Sequence, residues 1–257
     1  MQYDLTKPNP GRMFDYWLGG THNFEIDRQF ADQISKQFPV VRELTKIERG
    51  RIKSIVRFFY EHGIRSIVDF GSSLPTCENT HLVAHEIDPQ IKVVYSDIDP
   101  VTSAYGQELL LGEPNAIYVH ADAATPLVVL DAPETRALLG DNRRVGFISS
   151  ILGHLLTDAQ LRYSFQTLYD WAAPDSYCAM TVPSKDWVTE PYLNQIVESY
   201  SRANLWSCYR SPMELEPLLA PWKLTGEGIA RAGHFELPDG SSTKSIVITY
   251  AMMLHKE

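Results

Sequence analysis

Cysteine is scarce in this chain of 257 residues, which contains only Cys77, Cys178 and Cys208. The three are far apart, odd in number, and form no C-x-x-C pair. The sequence therefore encodes neither a disulfide framework nor a thiolate zinc site. This scarcity favours a reducing compartment, and we expect a cytoplasmic location.

Long apolar runs and an excess of positive charge are also lacking. No run approaches the roughly 18 apolar residues of a membrane-spanning helix, and the amino terminus has no basic segment followed by an apolar one. Lys and Arg total 23 against 32 Asp and Glu, which gives a net charge of -9 at pH 7. Because the average field repels phosphate backbones, neither a nucleic acid nor a membrane surface is an expected partner.

Two catalytic motifs are absent as well. The chain has no G-x-S-x-G elbow, which excludes the serine hydrolases that use it, and no G-x-x-x-x-G-K-[ST] loop, which excludes P-loop nucleotidases.

Hydrophobic residues, by contrast, make up 44% of the chain and are sufficient for one large core.

Hydrophobic periodicity indicates helices over the first sixty residues. Ile26, Phe30, Ile34 and Phe38 recur every four positions after a turn-rich segment over 8–20. From residue 66 onward, short β-rich runs alternate with helix-length stretches, and the predicted strands are 66–71, 92–97, 116–122, 144–151 and 176–182. This alternation predicts an α/β fold with a parallel, doubly wound sheet.

Capping boxes and the C-terminal tail refine this outline. Thr157 and Ser211 each begin a capping box, and proline follows Ser211 at the first helical position. Two further β-rich runs, 222–230 and 244–255, flank a Gly- and Ser-rich loop at 238–242. The tail is therefore predicted to be an antiparallel hairpin at one edge of the sheet.

Polar residues at the predicted strand ends mark the candidate binding site, since open parallel sheets bind ligands beyond the carboxyl ends of their strands. The loop after Asp69 contains a single glycine, Gly71. Asp97 follows Gly71 by 26 positions, and Asp122 ends the third strand. An acid about 20 residues after such a loop commonly binds ribose hydroxyls. Alternatively, these acids only cap strand-to-helix turns.

The single glycine of this loop narrows the choice of nucleoside. A dinucleotide needs G-x-G-x-x-G, because its pyrophosphate contacts backbone amides at a helix N-terminus. S-adenosylmethionine carries ribose and adenine without phosphate and tolerates the loss of those glycines. An alternative is a nucleotide-sugar glycosyltransferase, in which Asp97 and Asp99 would form a metal-binding D-x-D. His81 and His85 lack the zincin order, and no resident metal is expected.

Five segments carry a resemblance to a known family. Their sequences are PGRMFDYWLGGTHNF (10–24), VDFGSSLPT with NTH (68–76, 79–81), VVYSDIDP (93–100), YVHAD (118–122) and SILGH (150–154). Together they span most of the chain. In these motifs the chain resembles the S-adenosylmethionine-dependent methyltransferases of actinomycetes that were long catalogued as a domain of unknown function.

The resemblance implies a class I methyltransferase (Rossmann-like) sheet of five parallel strands plus the C-terminal hairpin. A helical lid over residues 1–63 would cover a core over 64–257, and the segment 12–24 would fold over the cofactor. Asp97 would bind the ribose, Asp122 would lie near the adenine amine, and the loop 71–73 would flank the methionine end. The implied cofactor-binding residues are Arg12, Tyr16, Gly71, Ser72, Ser73, Thr76, Asp97, Ile98, Asp122, Ala123 and Ser150. Ser73 departs from the family pattern, which has glycine there.

Methyl transfer from a sulfonium is an in-line displacement, so the protein mainly aligns the reactants. A hydroxyl acceptor would benefit from a general base, and His154 and His22 are the candidate catalytic residues. The alternative for His154 is a hydrogen-bonded residue of the pocket wall. Core packing is the default reading of an aromatic stretch after the fifth strand (Trp187, Tyr192, Tyr200, Trp206). In methyltransferases such as the chain resembles, this region commonly shapes the acceptor pocket, which would imply a small, partly apolar acceptor. A non-catalytic S-adenosylmethionine-binding protein is the remaining alternative.

Overall fold

The computed structural model describes residues 6–74, 79–186, 190–236 and 246–257. Three helices come first: α1 (Pro10–Trp17), α2 (Glu25–Gln37) and α3 (Val41–Glu61). Strands and helices then alternate as β1 (Ser66–Phe70), α4 (Thr80–Ile87), β2 (Lys92–Asp97), α5 (Pro100–Leu109), β3 (Ala116–His120), α6 (Leu127–Leu130), α7 (Pro133–Leu139) and β4 (Gly146–Ser150). A 3-10 turn (Gly153–Leu155), α8 (Asp158–Trp171), β5 (Tyr177–Pro183), α9 (Glu190–Arg202), α10 (Pro212–Leu219), β6 (Lys223–Glu236) and β7 (Ile246–His255) complete the order.

The seven strands form one sheet in the order β3-β2-β1-β4-β5-β7-β6. The first five strands are parallel, and β7 runs antiparallel between β5 and β6. The predicted parallel sheet and antiparallel hairpin are thus confirmed, although the loop 238–242 lies outside the described residues. The strand order reverses between β1 and β4, and the crevice for a ligand is expected there.

The first helix differs from the sequence-based prediction. Residues 8–20 were expected to form turns, but α1 occupies most of this segment. The side chain of Asn9 accepts a hydrogen bond from the Arg12 amide at 3.0 Å, and Pro10 takes the first helical position. Met13 and Trp17 lie four residues apart and are buried. A capped N-terminus and an apolar face therefore favour helix despite the glycines around it.

The sheet is covered on both faces by separate apolar clusters, and a third cluster lies under the N-terminal helices. The third cluster joins α1, α2, the start of α3 and α9 through residues such as Met13, Ile34 and Tyr200. The second half of α3 instead packs on the sheet, where a Cβ at Gly146 would lie 2.5 Å from the Phe59 ring. α3 therefore connects the N-terminal helices rigidly to the sheet.

The two predicted capping boxes are present at the N-termini of α8 and α10, with Thr157 and Ser211 as the caps. Across the part of the chain that the structure describes, no helix is both long enough and apolar enough to span a membrane.

Candidate functional site

The carboxyl ends of β1, β2, β3 and β4 surround a cavity of about 290 Å³, which we call the outer chamber. Residues from each strand end contribute to its wall, and α1 and α3 close it from above. Eight of the predicted cofactor-binding residues line this chamber, among them Gly71, Ser72, Ser73, Asp97, Ile98, Asp122 and Ala123. Ser150, at the end of β4, lines it too, and its hydroxyl lies 3.1 Å from that of Thr181.

Gly71 opens the loop after β1 and brings the backbone to the chamber. Its φ of 60° lies in the left-handed region, and a Cβ there would lie 2.8 Å from Leu152 Cδ1. Both the conformation and the space favour glycine at this position. Leu152 packs against the side where a Cβ would stand, and Gly71 lines the outer chamber with backbone atoms alone.

Ser73 occupies a backbone conformation that usually selects glycine, with a φ of 57°. Its hydroxyl donates to the Gly11 carbonyl at 2.8 Å, and its amide donates to Asp97 Oδ2 at 3.1 Å. The serine therefore connects the loop after β1 both to α1 and to the end of β2. Its side chain offsets part of the backbone strain with a contact that glycine could not make.

Asp97 and Asp69 bring buried carboxyls to the chamber. Asp97 Oδ1 accepts the Asp99 amide at 2.9 Å, and Asp69 Oδ2 accepts the Thr80 hydroxyl at 2.6 Å. Burial raises the pKa of each carboxyl to about 6, above its ordinary value. Both carboxyls line the chamber, so its wall presents acceptors for hydroxyl or ammonium donors.

Arg49 brings a positive charge to the same wall, and the sequence analysis missed it. It lines the outer chamber from α3, with its guanidinium carbon 5.4 Å from the centre of the Phe14 ring. The charge of Arg49 lowers the pKa of the Asp69 carboxyl, which opposes part of the effect of burial. The chamber therefore holds a guanidinium and a carboxylate near the same end.

The opposite end of the chamber is less polar. Ile98 lines it and is 58% exposed, which is high for an isoleucine and leaves an apolar surface uncovered. Asp122 Oδ1 accepts the Ala124 amide at 2.8 Å, so this acid caps a turn and lines the chamber at once. A role in cofactor binding and a role in capping a turn are therefore compatible for Asp122.

Three residues predicted for the site do not line either described cavity. Arg12 is buried in ion pairs with Asp27 and Asp99. The Tyr16 hydroxyl donates to Asp32 at 3.1 Å on the surface. The His22 ring packs edge-on against Tyr105 of α5, with ring centroids 5.2 Å apart. Thr76, also predicted, lies outside the described residues.

Asp99 is not available for a metal. Its Oδ1 accepts the Arg12 guanidinium at 2.7 Å, and its Oδ2 accepts both the amide and the hydroxyl of Thr102. It therefore caps α5 and anchors α1 instead of facing the chamber beside Asp97. The D-x-D arrangement required by the glycosyltransferase alternative is not formed.

A second cavity of about 90 Å³, the inner chamber, lies between α1, α2, α3 and α9. Its wall is mostly apolar, with Ile34, Phe38 and Leu44 among its residues. Six residues line both chambers: Phe14, Trp17, Glu48, Ile151, His154 and Tyr200. The two chambers therefore share a wall.

The aromatic stretch after β5 is only partly used in this wall. Tyr200 lines both chambers, while the Tyr192 hydroxyl donates to the Gln37 carbonyl and Trp206 is 56% exposed. Trp187 lies outside the described residues. Tyr209, which follows α9, lines the inner chamber.

Ile151 occupies a strained conformation at the shared wall. Its φ is 50°, which is uncommon for a β-branched residue. Its amide donates to the Thr181 carbonyl at 2.9 Å, so β5 holds the strained turn in place. With this conformation, the chain after β4 enters the wall between the two chambers.

His154 lies on the shared wall and is 5% exposed. Burial, together with the charge of Arg210, lowers the pKa of its imidazole to about 4. Its Nδ1 has no hydrogen-bond partner in the part of the chain that is described. The ring is therefore neutral at pH 7 and has a nitrogen available for a proton or a ligand.

This depressed pKa predicts a pH-dependent contribution to stability. The neutral folded imidazole contributes stability that is complete above the unfolded pKa of about 6.5 and is lost as the pH falls towards the folded pKa. Between pH 7 and pH 5 the stability of the wild type, relative to His154→Gln, should fall by about 2 kcal/mol. Urea unfolding of both proteins at the two pH values measures this difference. An unchanged difference would show that the imidazole titrates normally.

Glu48 was also missed by the sequence analysis, although the pattern contains it. It lies four residues after Leu44 and four before Ile52, inside the apolar face of α3. An acid within an apolar helical stripe is uncommon, because burial of a charge is costly. That position, read against the stripe, would have marked Glu48 as a candidate functional residue.

Comparisons with known proteins agree with this geometry. The family model described as S-adenosyl methyltransferase matches residues 1–255. The crystal structure of a candidate methyltransferase from Thermobifida fusca YX is 30% identical, with a TM-score of 0.85 over 99% of this chain and 97% of that one. A DUF574 family protein from Streptomyces avermitilis MA-4680 is 26% identical, with a TM-score of 0.86 over 100% of both chains. No curated protein matches the chain.

Proposed function

The chain belongs to the S-adenosyl methyltransferase family, and from that premise we propose that it methylates a small, partly apolar molecule bound in the inner chamber. The observation that carries the proposal is the wall shared by the two chambers. A cofactor in the outer chamber and an acceptor in the inner chamber would meet at this wall. Nucleic acids are not proposed as acceptors, because the inner chamber is narrow, apolar and enclosed by helices.

The residues of the outer chamber fit S-adenosylmethionine. Gly71 lines the chamber with backbone atoms alone, and Asp97 offers carboxylate oxygens for ribose hydroxyls. Arg49 and Asp69 match the carboxylate and the ammonium of the methionine end. The exposed apolar surface of Ile98 suits the face of the adenine ring, and Asp122 suits its amine.

When bound, S-adenosylmethionine supplies an electrophilic methyl group on a sulfonium. The protein contributes alignment, since α1 and α3 close over the outer chamber and restrict the positions available to both reactants. His154 is neutral at pH 7, and one of its ring nitrogens can accept a hydrogen bond from an acceptor hydroxyl or amine and orient it, while the lowered pKa makes the ring a weak proton acceptor. His22, which lines neither chamber, is not assigned this role.

We also propose a division of the chain into two structural segments, and a cellular compartment for the protein. Residues 1–63 would form a helical lid and residues 64–257 the methyltransferase core, and the second half of α3, within the lid segment, packs on the sheet of the core. The cytoplasm is the proposed compartment, supported by the scarcity of cysteine and by the free thiols of Cys178 and Cys208.

Calorimetric titration of cofactor-stripped protein tests the proposal. S-adenosylmethionine and S-adenosylhomocysteine should bind with micromolar affinity, whereas NAD and UDP-glucose with Mn²⁺ should not. A response to the sugar nucleotide alone would overturn the assignment in favour of a glycosyltransferase. Binding of S-adenosylmethionine without turnover of any acceptor in a broad screen would favour the non-catalytic alternative.

A further inference from the structure

Glu48 places a buried carboxylate where the two chambers meet. It lies in the middle of α3, is 1% exposed and lines both chambers. Its Oε1 accepts the Thr249 hydroxyl at 3.0 Å and the Arg51 guanidinium at 3.3 Å. Its Oε2 is buried and has no hydrogen-bond partner within the described ranges.

This arrangement does not satisfy the carboxylate. An ionised carboxylate out of water needs hydrogen bonds to both oxygens or a close, buried counter-ion. Arg51 is 24% exposed, and its contact is long for a charge-assisted hydrogen bond. If Glu48 served only to stabilise the fold, it would not need an acceptor oxygen that is unpaired beside a cavity. Oε2 therefore indicates that a ligand supplies the hydrogen-bond donor.

The surroundings favour a cation as that donor. Apart from Glu48, the polar side chains on the wall of the inner chamber are neutral groups such as Thr45, Ser184 and the His154 imidazole. The rest of the described wall is aliphatic or aromatic. A ligand with an apolar body and a positive charge would match both the wall and the carboxylate.

We propose that the inner chamber selects small amines and that Glu48 binds their ammonium group. The inference rests on the proposed function in assigning the inner chamber to the acceptor, and it narrows the acceptor to a short apolar body with a basic nitrogen. The aromatic side chains of Phe14, Trp17 and Tyr200, which share this wall, add surfaces suited to a cation.

Three probes that share a phenethyl group test the charge preference: phenethylamine, phenethyl alcohol and 3-phenylpropionate. Their binding is measured by calorimetry on the full-length protein, with and without saturating S-adenosylhomocysteine. The wild type should bind the amine at least about tenfold more tightly than the alcohol, and the carboxylate most weakly. Glu48→Gln should lose this preference, because the amide keeps an acceptor oxygen but carries no charge.

A control on the same helix separates local from general charge effects. Glu43 is exposed in α3 and lines neither chamber, so Glu43→Gln should retain the wild-type preference for the amine. Equal affinity for amine and alcohol in the wild type, an amine preference that survives Glu48→Gln, or no binding of any probe at millimolar concentration would each overturn the inference. Because binding of S-adenosylhomocysteine is measured separately, its failure would instead remove the proposed function.

Discussion

Arg12→Ala is expected to reduce the free energy of unfolding by about 3–5 kcal/mol. The guanidinium donates from Nε to Asp27 Oδ2 at 2.8 Å and from Nη1 to Asp99 Oδ1 at 2.7 Å. A further bond reaches the Lys7 carbonyl at 3.0 Å. Removal of the side chain would leave two buried carboxylates without their shared cation, and neither could regain full hydration.

The loss should be visible as a lower midpoint of urea unfolding with an unchanged slope. Arg202→Ala is the matched control, since Arg202 forms a single ion pair with Glu198 and both side chains are exposed. Its removal should cost less than about 0.5 kcal/mol. A cost for Arg12→Ala no larger than that of the control would show that the buried pairs do not stabilise the N-terminal helices.

The alternation of strands and helices could be predicted because it depends on local pattern. Each parallel strand is buried on both faces and interrupted by a helix, so apolar runs stand out from their surroundings. The hairpin followed from its two β-rich runs. The helix α1 could not be predicted in the same way, because its glycine-rich surroundings indicate turns while its stability comes from tertiary burial of Met13 and Trp17.

The candidate site was predictable to the extent that topology determines it. Gly71, Asp97 and Asp122 follow strand ends, and the carboxyl ends of parallel strands necessarily meet at one edge. Arg12 shows the limit of this reasoning. Resemblance places its segment over the cofactor, but only the three-dimensional packing shows that its guanidinium is directed to Asp27 and Asp99.

The sequence pattern does not show which groups a buried charged residue will contact. Glu48 and Arg49 are adjacent in sequence and both line the outer chamber, yet they come from a helix that precedes the candidate nucleoside-binding loops. The sequence shows a helical stripe there but not which element the stripe faces. The residues of the proposed acceptor site therefore depend on the helices above the sheet, whose orientation is decided by long-range packing.

Asp97→Ala is expected to weaken the binding of S-adenosylmethionine by about 1.5–3 kcal/mol, or roughly 10- to 150-fold. The ribose would lose its hydrogen bonds to the carboxylate, and the loop after β1 would lose the acceptor that supports it. Asp97 accepts the amides of both Ser73 and Asp99, so alanine leaves two buried donors without an acceptor. Calorimetry should show the loss in affinity, and thermal unfolding of the cofactor-free protein should show a separate loss in stability.

Asp97→Asn separates the loss in cofactor affinity from the loss in stability. Asparagine keeps the shape of the side chain and one acceptor oxygen, so part of the support for the loop remains while the negative charge is lost. Its affinity for the cofactor should lie between those of the wild type and Asp97→Ala. Asp131→Ala removes an exposed carboxylate that pairs with Arg136 away from both chambers and should leave affinity unchanged. Wild-type affinity in both Asp97 variants would mean that the ribose is bound elsewhere, and the assignment of the outer chamber to the nucleoside would have to be abandoned.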